Sequence, residues 1–283
     1  MSGAAGEPQS SSPYGKKGSK TTMYALVAIM LVVGLVVGYF IGAALAKPAE
    51  RANANLDEIL KRGKLIVASD TTWPPFEIYN STSQKYEGVD IEIVERIAAE
   101  LGVQLEIKPM SFDAVIGAVQ SGQADLAISS ITILPERAKA VDFSIPYYSA
   151  NQGVLVKEGS AISSAADLAG KKVGAQLGTT GLYWAQDNLP TSIISQYQDI
   201  PSAVVALEQG QIDAVICDTP VANNYADDPS YTLKVGFTIV TNEEYGIAIA
   251  KGNTALKFFV DRVLQMMKDD GSLQAILVKW NAD

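Results

Sequence analysis

Short apolar runs alternate with amphipathic helix patterns from Leu65 to the end of the chain. Residues 65–69 have the composition of a buried strand, and residues 90–101 place their apolar side chains on one helical face before Gly102. Strands that alternate with helices in this way build a mostly parallel sheet covered on both faces. The pattern therefore predicts an α/β fold for the body of the chain.

Two loops of small polar residues connect a predicted strand to a predicted helix. The first spans 129–137 and contains Pro135, a residue suited to the first helical position. The second spans 176–181 and follows a strand at 172–175. At such junctions backbone N–H groups and helix N-termini converge, so open α/β sheets bind ligands there. The loops indicate one binding loop in each half of the body, although ordinary surface loops have the same composition.

Charged and aromatic residues stand near these junctions. Arg137 has a planar guanidinium that can hold a carboxylate through two hydrogen bonds. Two consecutive prolines make the loop after the first strand rigid, and this loop presents Asp70 and Trp73. Asp218 ends another predicted strand, where aspartate ordinarily caps the following helix. The residues alone leave open whether Asp218 is a cap or part of a site.

The composition excludes several classes of function. A net charge of −9 argues against nucleic acid as a partner. The chain has one cysteine and no histidine, so it cannot form an internal disulfide. Zinc sites and catalytic pairs of serine or cysteine with histidine lose their usual ligand or base. We therefore expect no bound metal and no cofactor.

A stretch of 26 residues, 21–46, contains no charged side chain. As a helix it would be about 39 Å long, and a bilayer core is about 30 Å thick. Three lysines precede it and favour a cytoplasmic N-terminus. We expect a disordered cytoplasmic tail at 1–22, a transmembrane anchor at 23–46, and a tether with a short helix at 47–63. The alternative is a secretory signal peptide cleaved after the Ala-Leu-Ala sequence at 44–46.

Several short motifs occur in an order that resembles one family. They are DTTWPPFE at 70–77, GVDIE at 88–92, SSITILPER at 129–137, DFS at 142–144, GTT at 178–180, CDTP at 217–220 and YGIA at 245–248. Together they resemble the polar amino-acid-binding proteins of ABC importers, which are family 3 extracellular solute-binding proteins. The likeness covers roughly residues 65–280 and is greatest to glutamine-binding and lysine/arginine/ornithine-binding proteins.

The resemblance implies a two-lobed periplasmic-binding-protein-like fold of type II with two hinge strands, preceded here by the N-terminal transmembrane helix. Lobe 1 would comprise residues 64–147 and 246–283, and lobe 2 would comprise residues 151–241. The hinges would lie near 148–151 and 242–245. In this family the lobes close on one amino acid, so closure would depend on occupancy.

The family's pattern assigns the two charged ends of an amino acid to five residues of this sequence. Arg137 would hold the α-carboxylate, assisted by the Thr132 amide and by Thr180. Asp218 would hold the α-ammonium beside the Ser130 carbonyl. A zwitterion removed from water needs an opposite charge and hydrogen bonds at each end, which this pairing would supply.

Four further positions would contact the ligand's side chain. Trp73 and Phe112 match the two aromatic residues that enclose it in the family, and Asp70 matches the contact to its distal polar group. Gln176 stands where the glutamine-binding protein has a lysine that touches the ligand's amide. This difference favours a basic amino acid over glutamine.

We therefore expect an extracytoplasmic, membrane-anchored and monomeric binding protein. It would capture a polar amino acid, basic or glutamine, and deliver it to an ABC permease driven by an ATPase. One alternative is a ligand-sensing receptor subunit. Another is a lyase similar to cyclohexadienyl dehydratase, in which Glu77, Glu243 or Glu244 would act as the acid or base.

Overall fold

The computed structural model describes residues 48–283. The predicted tail at 1–22 and the predicted transmembrane segment at 23–46 lie outside the described residues. Within residues 48–283, none of the helices combines the length and the apolar content that a membrane span requires.

Nine α-helices and thirteen strands make up the described part of the chain. In chain order they are α1 (Pro48–Arg62), β1 (Lys64–Ser69), β2 (Thr72–Trp73), β3 (Glu77–Asn80), β4 (Lys85–Glu87), α2 (Val89–Leu101), β5 (Gln104–Pro109), α3 (Phe112–Gln120), β6 (Leu126–Ala127), α4 (Pro135–Ala140), β7 (Val141–Phe143), β8 (Tyr148–Lys157), β9 (Lys172–Gln176), α5 (Thr180–Asn188), β10 (Ile193–Tyr197), α6 (Ile200–Glu208), β11 (Ala214–Asp218), α7 (Thr219–Asp227), β12 (Leu233–Tyr245), β13 (Ala248–Ala250), α8 (Thr254–Asp269) and α9 (Ser272–Lys279). A short 3₁₀-helix at Ala165–Leu168 connects β8 to β9.

The first five-stranded sheet has the order β5-β1-β6-β13-β7. β1 pairs parallel with β5 and β6, and β13 joins β6 and β7 in the antiparallel direction. The central strand β1 is apolar because both of its faces are covered, and Leu65 and Val67 are fully buried. We call this sheet and the helices packed on it lobe 1.

The second five-stranded sheet has the order β10-β9-β11-β8-β12 and forms lobe 2. β9 pairs parallel with β10 and β11, and β8 runs antiparallel to both β11 and β12. The two sheets, each with its helices, form the α/β two-lobed architecture that the sequence predicted.

β8 and β12 connect the two lobes. They remain paired where they leave lobe 2, with Tyr148 opposite Tyr245 and Ala150 opposite Glu243. Successive side chains of a strand point to opposite faces, so Glu243 is buried while Glu244 is exposed. A register shift precedes this segment, and Asn242 adopts a left-handed backbone with φ of 50°.

An aromatic cluster fixes this crossing to lobe 1. The Tyr245 ring is fully buried, and its centroid lies 5.4 Å from that of Phe76 and 5.4 Å from that of Tyr148. Phe76 also meets Tyr148 edge to face at 5.0 Å. Edge-to-face pairs at these distances are favourable beyond the burial of their area. The base of the cleft between the lobes is therefore densely packed.

Some elements extend beyond the sequence prediction. α1 begins at Pro48, so it includes residues for which we predicted a tether. The predicted rigid loop at 70–77 contains β2, which pairs with β3 in a small three-stranded sheet. β12 was not predicted below residue 245, although Leu233, Val235, Phe237 and Ile239 alternate in the manner of a strand.

Gly88 allows a close backbone approach at the start of α2. Its φ is 128°, and a Cβ at this position would lie 2.1 Å from the Phe76 carbonyl oxygen. That oxygen accepts a hydrogen bond from the Asp90 N–H at 2.9 Å. The turn thus holds the strand β3 and the helix α2 together through backbone atoms that leave no room for a side chain.

We predict that Gly88→Ala lowers the free energy of unfolding by at least about 2 kcal/mol, because the methyl group must displace the Phe76 backbone. The matched control is Gly117→Ala in the middle of α3, where a Cβ would meet nothing within 4 Å. This control should be neutral or stabilising by about 0.5–1 kcal/mol. Thermal and urea unfolding followed by circular dichroism measure both, and equal stability of the two variants would contradict the prediction.

Candidate functional site

A cleft between the two lobes brings most of the predicted site residues together. Its walls are formed by Asp70, Trp73, Glu77, Phe112, Ser129, Ser130, Thr132 and Arg137 from lobe 1, and by Thr179, Thr180 and Asp218 from lobe 2. Eight of the nine predicted positions are in this set. The ninth, Gln176, is buried beside the cleft and contacts Asp70.

Arg137 joins the two lobes. Its Nη1 donates a hydrogen bond to the Thr132 carbonyl at 2.8 Å, and its Nη2 donates to the Gly178 carbonyl of lobe 2 at 2.9 Å. The guanidinium carbon lies 5.3 Å from the centroid of the Phe112 ring, within cation–π range. Burial lowers the pKa of the guanidinium, and the nearby charges of Asp218 and Glu243 oppose that shift. Since a guanidinium has five N–H donors, further hydrogen bonds to a carboxylate can form in the cleft.

The loop after β6 presents backbone groups to the cleft. The Gly246 N–H donates to the Ile131 carbonyl, and the Ile133 N–H donates to the Glu244 carbonyl. Backbone groups alternate in direction along an extended chain, so those of Thr132 face the cleft side. This alternation explains why the Thr132 carbonyl accepts from Arg137 rather than from β12.

Ser130 has a strained backbone. Its φ is 49°, in the left-handed region that non-glycine residues rarely occupy. Its N–H donates to the Asp90 carboxylate at 2.8 Å, and its hydroxyl donates to Glu77 at 3.3 Å. Strain of this kind persists at sites where surrounding contacts determine the conformation. The two carboxyl groups behind Ser130 therefore fix the direction of its carbonyl.

Asp218 is buried at the end of β11 and precedes α7, but its side chain makes no capping hydrogen bond. The interpretation of Asp218 as a helix cap is therefore wrong. Its carboxylate instead accepts hydrogen bonds from the Tyr245 hydroxyl and from the Gln152 side chain. Burial and the charge of Glu243 raise the pKa of Asp218 to about 7, although its hydrogen bonds and Arg137 act in the opposite direction.

Asp70 is held from both lobes. The Thr72 hydroxyl donates to its carboxylate at 2.8 Å, and the Gln176 amide of lobe 2 donates at 2.5 Å. Gln176 also donates to the Gln198 carbonyl at 3.1 Å, which fixes the amide. Burial raises the pKa of Asp70, and the two side-chain hydrogen bonds oppose the shift. Gln176 therefore does not line the cleft itself, and it influences the cleft through its hydrogen bond to Asp70.

Glu77 and Asp90 form a buried acid pair that was not predicted for the binding site, although Glu77 was named as a possible acid or base of the lyase alternative. Both side chains are fully buried, and Glu77 lines the cleft. Burial and the neighbouring charges of Asp90 and Asp70 raise the pKa of Glu77 well above its usual range. Burial also raises the pKa of Asp90 to about 6, and a hydrogen bond from Glu77 stabilises its charged form. Burial therefore disfavours the charged form of both carboxyl groups, so this pair binds a proton more readily than two exposed carboxyl groups would.

Comparison with known families agrees with this geometry. The model of the bacterial extracellular solute-binding proteins, family 3, matches residues 65–283, which is nearly all of the two lobes. The chain belongs to this family. Four of the seven motifs that suggested the relationship contribute residues to the cleft, namely those at 70–77, 129–137, 178–180 and 217–220.

Family members similar to this chain bind several amino acids. The L-cystine-binding protein TcyJ of Escherichia coli is 33% identical over 263 residues, 92% of this chain and 95% of that protein. The substrate-binding protein AbpA of Streptococcus pneumoniae, solved with L-arginine, is 37% identical with a TM-score of 0.76, covering 80% of this chain and 98% of its own. An ancestral arginine-binding protein solved with glutamine is 39% identical with a TM-score of 0.75, covering 78% and 99% of the two chains.

The raised pKa of Asp218 predicts how stability depends on pH. The folded state binds this proton more tightly than the unfolded state, in which the pKa is near 3.8, so stability falls as pH rises through the range up to about 7. Between pH 5 and pH 8 we expect the ligand-free protein to lose about 2 kcal/mol relative to Asp218→Asn, which has no proton to lose. Urea unfolding at each pH measures the difference. The control is Asp187→Asn on the exposed face of α5, whose curve should parallel wild type.

Proposed function

We propose that this chain is the amino-acid-binding component of an ABC import system and that its ligand is a basic L-amino acid such as arginine. The balance of charge in the cleft carries the choice of ligand. Arg137 is the one cationic side chain among the described residues that line the cleft, which it shares with the carboxylates of Asp70 and Asp218. Burial and the neighbouring charge of Asp90 raise the pKa of Glu77, which disfavours the charged form of Glu77.

A basic amino acid completes this balance. It brings one carboxylate for Arg137 and two cations, one for Asp218 and one for Asp70. Glutamine would leave Asp70 without a cationic partner in a buried place, and an unpaired buried charge is strongly unfavourable. The distal end of cystine would bring an ammonium that could pair with Asp70, but also a second carboxylate, for which the described residues that line the cleft offer no second cation. The charges therefore favour arginine or lysine over both.

The α-carboxylate would bind between the lobes. Arg137 supplies the charge, and the first residue of α5, Thr180, has a backbone N–H without a partner inside its helix. The N-terminus of α5 also carries a partial positive charge that favours an anion. The α-ammonium would bind Asp218 and the Ser130 carbonyl, whose direction is fixed by the acid pair behind it.

The ligand's side chain would lie between aromatic walls. Trp73 is buried on one side of the cleft, and the Phe112 ring forms part of the wall beside Arg137. Aromatic faces attract cations in a desolvated site. Asp70 lies in the same cleft, and its carboxylate accepts hydrogen bonds from the Thr72 hydroxyl and the Gln176 amide.

Capture would proceed by closure of the lobes. The groups for the two charged ends belong to different lobes, so a ligand that pairs with both stabilises the closed arrangement. As a family 3 member the chain acts outside the cytoplasm, and the closed form would dock on a membrane permease. The uncharged segment 21–46 would anchor the protein to that membrane, with residues 1–22 inside.

Arg137→Ala tests the carboxylate site. We expect the affinity for L-arginine to fall at least about 100-fold, because the ligand's carboxylate would lose its only cationic partner in the cleft. The matched control is Lys139→Ala on the same helix, whose side chain is exposed and pairs with Glu136. Isothermal titration of both variants measures the change. Wild-type affinity in Arg137→Ala would overturn the assignment of the site.

Asp70→Asn tests the choice of ligand. We expect the affinity for L-arginine to fall at least about tenfold while the affinity for L-glutamine stays the same or rises, because the lost charge serves only a cationic side chain. Titration with the two amino acids provides its own internal control. An equal loss for both would show that Asp70 does not face the ligand's side chain. If wild type bound no amino acid, prephenate turnover would be the next measurement.

A further inference from the structure

Glu243 occupies a position at the base of the cleft that the proposed ligand contacts do not use. It lies on β12 where this strand crosses between the lobes, and its side chain is 8% exposed. It is not among the residues that line the cleft. A buried carboxylate needs hydrogen bonds or an opposite charge to be stable there.

Three donors from different elements converge on the Glu243 carboxylate. The Thr132 hydroxyl of lobe 1 and the Thr180 hydroxyl of lobe 2 each donate to Oε2 at 2.7 Å. The Gln152 side chain on β8 donates to Oε1 at 2.9 Å. The single oxygen Oε2 thus joins one residue of each lobe, and it does so at the short distances typical of charged acceptors.

These contacts determine what the two threonines can do for a ligand. A hydroxyl has one proton, and both protons are donated to Glu243. The hydroxyls then have none to donate to a carboxylate in the cleft. The ligand's carboxylate is left to Arg137 and to the backbone N–H groups. The threonine side chains therefore serve the contact between the lobes.

We propose that Glu243 is a positioning residue that holds the lobes closed, by joining Thr132 and Thr180 without touching the ligand. The choice of L-arginine as the test ligand rests on the proposed function. When the lobes separate, Thr132 and Thr180 move apart, so Oε2 can keep at most one of them. Closure therefore adds a charge-assisted hydrogen bond that the open arrangement lacks. Because this bond must break before the lobes open, it slows the release of a bound ligand.

The amide of Gln152 links this contact to Asp218. Its Nε2 has two protons to donate and lies within hydrogen-bond distance of three acceptors, which are Glu243, Asp218 and, at 3.2 Å, the Thr180 hydroxyl. Arg137 is the cation that faces both carboxylates. Glu243 thus belongs to the same buried network as the proposed ammonium site, although it lies one contact further from the cleft.

The experiment measures L-arginine binding and release by the full chain in wild type, Glu243→Gln, Thr180→Val and the double variant. Stopped-flow tryptophan fluorescence suits this, since Trp73 lines the cleft. We expect each single variant to raise the release rate about tenfold, as the loss of a hydrogen bond to a charged group does. The double variant should match the single variants because both remove one contact. Association rates should stay within about twofold.

The control is Glu244→Gln, which removes the same charge from the exposed neighbour on the same strand and should leave both rates unchanged. An unchanged release rate in Glu243→Gln, or a roughly hundredfold rise in the double variant, would overturn the proposal.

A second measurement uses a fluorophore on each lobe to report the distance between the lobes without ligand. This distance should increase in Glu243→Gln and Thr180→Val. The distance measurement tests the role of Glu243 even if the wild-type protein does not bind arginine. Failure to bind arginine would refute only the proposed ligand.

Discussion

The structure depends on one partly buried guanidinium between two lobes. Arg137 cannot lose its proton, so its burial requires carbonyl acceptors, an aromatic face and nearby carboxylates. Lobe 1 provides the Thr132 carbonyl and the Phe112 ring, and lobe 2 provides the Gly178 carbonyl. These partners are all in place only when the lobes are together. The charge that would recognise a ligand is therefore also a charge that favours closure.

The acids around Arg137 have two different functions. Asp70 and Asp218 line the cleft, where their charges can meet a ligand. Glu77 and Asp90 lie against the strained Ser130 loop, and their hydrogen bonds to Ser130 determine its geometry. Burial raises the pKa of all four groups. An incoming cation lowers the pKa again, and so ligand binding and proton release are linked.

The sequence predicted those features that depend on local order along the chain. Strand ends, the helix start at Pro135 and the loop at 129–137 follow from nearby residues, and the order of the motifs identified the two-lobed fold. Eight of the nine predicted site residues line one cleft because they lie at or after the carboxyl ends of the parallel strands β1, β5, β6, β9 and β11. The roles of these residues towards a ligand remain predictions.

The features that the sequence did not predict come from contacts between distant segments. Glu243 meets Thr132 across 111 positions, and Glu77 meets Ser130 across 53. No local pattern relates such pairs, since the sheet register places them together. The partners of Asp218 show the same limit, because its position before α7 allowed a cap but could not reveal the hydrogen bonds that its carboxylate accepts from Tyr245 and Gln152.

Gln176 illustrates how a neutral partner can set the charge of a site. A lysine at this position would place an ammonium on Asp70, and the pair would offer a neutral surface to the ligand. The glutamine amide holds the Asp70 carboxylate at 2.5 Å and is itself fixed by the Gln198 carbonyl, yet it adds no charge. Asp70 is therefore oriented without being neutralised. The missing positive charge must come from the ligand, and a basic amino acid supplies it.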